Sequence, residues 1–104
     1  MPKYLVERLI PRAGELTAQE MKAIAQQILL VQQELEVNIR WVQSAFTTDR
    51  MVCLYIGDDE SAIREHARRS GLPIQRISEV SAIIGPLLDT DGASPDRIDA
   101  LTNE

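Results

Sequence analysis

The stretch MVCLYIGDDESAIREHARRSGLP, residues 51–73, carries the reading of the fold. Residues 51–56, MVCLYI, are a short apolar run rich in β-branched and aromatic residues, as a strand requires. GDDES follows, with an aspartate placed to accept from the free N–H groups of a helix start and acids that favour its positive end. The helix runs to about Ser70. Gly71 suits the left-handed position after a helix and Pro73 prevents continuation.

Working outward, residues 37–47, VNIRWVQSAFT, return to strand composition and reach residues 51–56 through a short polar turn. The two strands read as a hairpin. Upstream, Thr17 and Glu20 have capping-box spacing, and Met21, Ile24, Ile28, Val31 and Leu35 form one stripe on a helix from about 18 to 36. Residues 3–10, KYLVERLI, stop at Pro11 and read as a first strand; residues 75–84 read as a fourth, ended by Gly85-Pro86. The order is β-α-β-β-α-β. The expected fold is an α+β, ferredoxin-like sandwich over residues 2–86. Its four-stranded sheet is antiparallel in the order 4-1-3-2, with both helices on one face. The other face needs a partner if apolar, so a homodimer through it is expected. After it, residues 87–104 form an acidic tail with a short helix signal at Ser94-Pro95.

Composition bounds the function. One domain fits 104 residues, and 44% apolar content suffices for a core, with aromatics at only 4%. The net charge of −5 argues against nucleic acid as partner. Asp89, Asp91, Asp96, Asp99 and Glu104 against Arg97 place −4 of it in the tail. A single cysteine allows no intramolecular disulfide. No signal peptide or membrane span is evident, which points to the cytoplasm.

Cys53 and His66 are the chain's only cysteine and histidine. Alternation along residues 51–56 sets Val52, Leu54 and Ile56 on one face and Met51, Cys53 and Tyr55 on the other. The aliphatic set is expected to pack on the helices. The expected core therefore includes Val42, Val52, Leu54, Ile56, Val80 and Ile84 besides Val6, Ile28, Val31 and Ile63, and Leu54→Asp is expected to unfold the domain. Cys53 and Tyr55 are then on the open face with Glu7, Gln43 and Glu79, and His66 is in the opposite layer. That open-face set suits either a hydrogen-bonded patch in a dimer interface or a ligand pocket.

PKYLVER, IPRAGELT, IRWVQS, YIGDDESAIREHARRSGLP and RISEV together resemble a family of small bacterial proteins catalogued as a domain of unknown function, some of them described as nickel-binding. The resemblance covers about residues 2–84, and REHA followed by G-x-P is its most specific piece. It implies a dimerising ferredoxin-like fold and a non-enzymatic metal-binding role, with nickel or another divalent transition metal. Glu7, Cys53, Tyr55 and His66 are the candidate ligands. Family members commonly read W-V-H-S where this chain has Trp41-Val42-Gln43-Ser44, and a glutamine amide coordinates far more weakly than an imidazole. Bound metal and no metal both remain open. Two alternatives stand beside metal binding: a small-molecule-binding or enzymatic dimeric barrel with an inter-sheet cavity, and a dimerising module without a site.

Overall fold

The computed structural model describes residues 1–86; the expected tail, with its Ser94 helix signal, lies outside the described residues. The elements are β1 (Lys3–Leu9), a 3-10 turn (Ala13–Glu15), α1 (Ala18–Glu34), β2 (Ile39–Phe46), β3 (Arg50–Gly57), α2 (Glu60–Ser70) and β4 (Arg76–Val80). The four strands form one antiparallel sheet in the order β2-β3-β1-β4. This is the expected β-α-β-β-α-β arrangement.

The helix ends follow from local chemistry. The Thr17 hydroxyl accepts from the Glu20 N–H at 3.1 Å while the Glu20 carboxylate accepts from the Thr17 N–H at 2.9 Å. Asp59 begins α2 by accepting from the Ala62 N–H at 2.9 Å, and that bond holds its carboxyl below the usual carboxylate range. Gly71 ends α2 at φ 74°, a left-handed position that a residue with a Cβ adopts only with strain.

The strand faces are the reverse of the expectation. Met51, Cys53 and Tyr55 are buried, with Cys53 and Tyr55 both 0% exposed. Val52, Leu54 and Ile56 alternate with them on the open face and are only partly buried. In β1, Tyr4, Val6 and Arg8 face inward, while Leu5, Glu7 and Leu9 face outward. Length and branching misled here. An aliphatic run fits either side of a sheet, but the polar tips of Tyr55 and Cys53 need partners when buried. Those partners come from β1 and β2, distant in sequence.

A bulge in β2 sets the second half of the hairpin. Trp41 lies opposite Tyr55, and Gln43 lies opposite Leu54, so Val42 is the extra residue. One inserted residue flips every later side chain to the other face. Trp41 and Gln43, which plain alternation would put on one face, are thus on opposite faces. Trp41 and Ser44 point inward, and Gln43 and Ala45 outward. α1 fastens this point, because Gln32 Oε1 accepts the Trp41 backbone N–H at 2.8 Å. Val42, expected in the core, is exposed as a result. β4 is also shorter than expected, and Ile84 beyond it is 90% exposed rather than core.

Candidate functional site

The inward side chains of β1, β2 and β3 meet the helices around a polar cluster centred on Arg8. Arg8 is 0% exposed. It donates through Nη1 to Cys53 Sγ at 3.0 Å and through Nη2 to Tyr55 Oη at 3.4 Å. Its guanidinium carbon lies 5.7 Å from the Tyr55 ring centroid. From the other side, Trp41 Nε1 donates to Ser44 Oγ at 2.8 Å, and Ser44 Oγ donates to Cys53 Sγ at 2.9 Å. The bulge makes this relay possible, since only the shifted register points Ser44 at Cys53.

His66 closes the cluster from α2. Its ring is tilted 58° against Tyr55 with centroids 5.5 Å apart. Nε2 lies 2.9 Å from the Ile28 carbonyl oxygen. A carbonyl only accepts, so Nε2 carries the proton and Nδ1 holds the lone pair. Nδ1 and Arg8 Nε are buried without a hydrogen-bond partner among the described residues.

Burial pushes the Tyr55 phenol up to about 12, although Arg8 pulls it the other way. Burial also pushes the His66 imidazole below its ordinary value; the Ile28 carbonyl opposes this and the Arg8 charge adds to it. The folded state therefore holds His66 neutral. The stability that depends on this is fully present above the unfolded value of about 6.5 and is lost as pH falls through it, because the unfolded chain then binds the proton more readily. The denaturation midpoint is expected to drop between about pH 7 and pH 5 and to drop less in His66→Gln. Equal slopes for the two chains would contradict this.

The four candidate ligands do not converge. Cys53, Tyr55 and His66 share the interior, whereas Glu7 pairs with Val52 on the open face and lies 3.9 Å from Arg76. Glu79 lies opposite the inward-facing Tyr4, so it does not extend the Glu7 row. Cys53 and His66 thus occupy one layer rather than two. The residues that organise them, Arg8, Ser44 and Trp41, are not among the four candidate ligands. The signal for Arg8 was the alternation Tyr4–Val6–Arg8, which gives it the parity of two core residues.

A second feature is the open sheet face. Leu5, Gln43, Ala45, Leu54, Val80 and Ile83 line a shallow depression of about 460 Å³ there. Among the described residues Gln43 supplies its only side-chain amide. Leu5 and Leu9 are 37% and 44% exposed on the same face.

A sequence profile described as nickel responsive protein SCO4226-like matches residues 4–80. The chain belongs to the SCO4226-like family. The crystal structure of SCO4226 from Streptomyces coelicolor A3(2) superposes with a TM-score of 0.69 at 18% identity, covering 79% of this chain and 99% of that one. At that identity the likeness establishes the shared fold. No curated protein matches the chain.

The family name raises nickel, and the interior cluster can be tested for it. Nickel favours imidazole and thiolate ligands, and comparable borderline ions are bound at about 2.0–2.3 Å. Here Cys53 Sγ already accepts from Arg8 and Ser44, and Tyr55 Oη accepts from Arg8. The position between them is taken by a guanidinium whose positive charge repels a second cation strongly in a dry interior. Among the described residues no three His, Cys, Asp or Glu side chains are grouped to hold a metal ion. The interior set does not fit nickel. Among the described residues no helix is long and apolar enough to cross a membrane.

Proposed function

We propose that this member of the SCO4226-like family is a non-enzymatic binding module that pairs with a second copy through its open sheet face. The observation that carries this reading is the apolar surface, uncovered among the described residues, formed by Leu5, Leu9, Val52, Leu54 and Ile83 on a sheet whose other face is closed by two helices. A two-fold pairing of such faces is self-complementary and buries the outward half of the sheet. Chemistry by Cys53 is disfavoured, because its sulfur is buried and held by donors, with no hydrogen bond to a base.

Within this reading nickel is not held by Cys53, Tyr55 and His66. Gln43 stands on the open face at the position where the family resemblance implies histidine, so a metal position of that kind would lack its best ligand here. Sedimentation of the tag-free full chain over a concentration series tests the pairing. A reversible monomer–dimer equilibrium is expected, and a chain that stays monomeric at high concentration removes the reading. Calorimetric titration with nickel is expected to give the same heats for the natural chain and for Cys53→Ser. Binding that Cys53→Ser abolishes would return the metal to the interior cluster.

A further inference from the structure

The outward rows of the sheet differ in character between centre and rim. Reading across β2-β3-β1-β4, one row is Arg40, Ile56, Lys3 and Val80, and the next is Gln43, Leu54, Leu5 and Ser78. The row beyond that ends in Glu7 and Arg76, and Arg50 lies opposite Leu9 in the last. The centre is aliphatic. The rim carries Lys3, Arg40, Arg50 and Arg76 against two carboxylates, Glu7 in the same rows and Asp49 beside Arg50. Arg76 approaches Glu7 at 3.9 Å and Arg50 approaches Asp49 at 4.0 Å, while Lys3 and Arg40 form no ion pair among the described residues. A protein with a net charge of −5 therefore presents an apolar surface ringed by cations.

Residues 87–104 have the complementary composition. They begin with Leu87 and Leu88 and carry Asp89, Asp91, Asp96, Asp99 and Glu104 against one arginine. They follow directly on Pro86, a few residues after Ile83, which lines the depression on this same face. Eighteen residues reach as far as about 60 Å when extended, whereas four strands span only about 15 Å, so reach is not limiting.

We infer that the acidic segment 87–104 docks on the basic-rimmed open face of its own chain and competes there with the second copy. This inference rests on the pairing reading for its regulatory consequence, but the contact stands on charge and apolar complementarity alone. Two open faces brought together oppose cationic rims, which repel. The segment, tethered beside the face, meets it at an effective concentration in the millimolar range. Being largely electrostatic at the rim, the contact weakens as salt screens it.

The test uses the full chain with Asp89→Asn, Asp91→Asn, Asp96→Asn and Asp99→Asn combined. Amide NMR spectra recorded at concentrations where both chains are monomeric report the contact directly. Resonances of Leu5, Gln43, Leu54 and Val80 are expected to differ between natural and neutralised chains at low salt and to coincide at about 1 M salt. Superimposable low-salt spectra at these positions would overturn the inference, whatever the oligomeric state. The neutralised chain is also expected to dimerise about tenfold more tightly at low salt. Low-salt differences in chains that never dimerise would keep the docking contact and discard the pairing. Equal dimerisation with superimposable spectra would do the opposite.

Discussion

Arg8→Ala is expected to lower the unfolding free energy by about 3–5 kcal/mol, and Arg8→Met by less than about 2 kcal/mol. The alanine variant loses both hydrogen bonds of a fully buried side chain and leaves a cavity beside Cys53 and Tyr55. The methionine variant fills most of that space. It still strips the Arg8 bond from the Tyr55 hydroxyl, a loss of about 1–3 kcal/mol for a buried polar group. Against that loss it removes a buried cation whose hydrogen-bond partners among the described residues are a thiol and a phenol rather than a carboxylate. Cys53 keeps its bond from Ser44 in either case. Denaturant unfolding of the two variants reads the difference. Equal losses would mean that the guanidinium hydrogen bonds, and not its volume, carry the stability.

Leu54→Asp is expected to leave the domain folded, at a cost of about 1 kcal/mol, and to weaken self-association by about 100-fold or more. The residue is partly buried and points to the open face, opposite Leu5 and Gln43, so a carboxylate there reaches water in the single copy. In a paired copy the same carboxylate is trapped in an apolar centre, and two-fold symmetry makes it count twice. Val6→Asp is the contrasting variant: Val6 is 0% exposed, and a charge there has no route to solvent. Circular dichroism and sedimentation on both variants separate the outcomes. An unfolded Leu54→Asp chain would mean that the aliphatic face packs on the helices after all. A folded chain that dimerises as well as the natural one would remove the open face as the pairing surface.

The metal question shows how far residue identity alone can mislead. Cys53, His66 and Tyr55 are all plausible donors, and they do lie in one layer. The Cys53 and Tyr55 lone pairs are answered from within the chain by Arg8 and Ser44, whereas His66 gives its one N–H to the Ile28 carbonyl and keeps an unpartnered Nδ1 lone pair among the described residues. A guanidinium satisfies a sulfur and a phenol together as a bound cation would, without a coordination sphere. Membership in a nickel responsive family therefore does not bring a nickel site with it at this position.

Local signals determined the elements and their order. The Thr17–Glu20 box, Asp59 and Gly71 act within a few residues of the helix ends they set, so their effect is written in the chain itself. The hairpin and the strand–helix alternation then left the ferredoxin-like arrangement as the one reading. The tertiary structure alone decided which way the strands face. Alternation along residues 51–56 yields two sets of comparable apolarity, and the choice depends on Arg8, Ser44 and His66, which approach from three other elements. The bulge at Val42 is likewise invisible in the sequence, because one extra residue in β2 is defined only against its partner strand. Parity and register are properties of pairs of strands, and they placed Cys53 inside beside a buried cation and left Leu54 outside on the face opposite the helices.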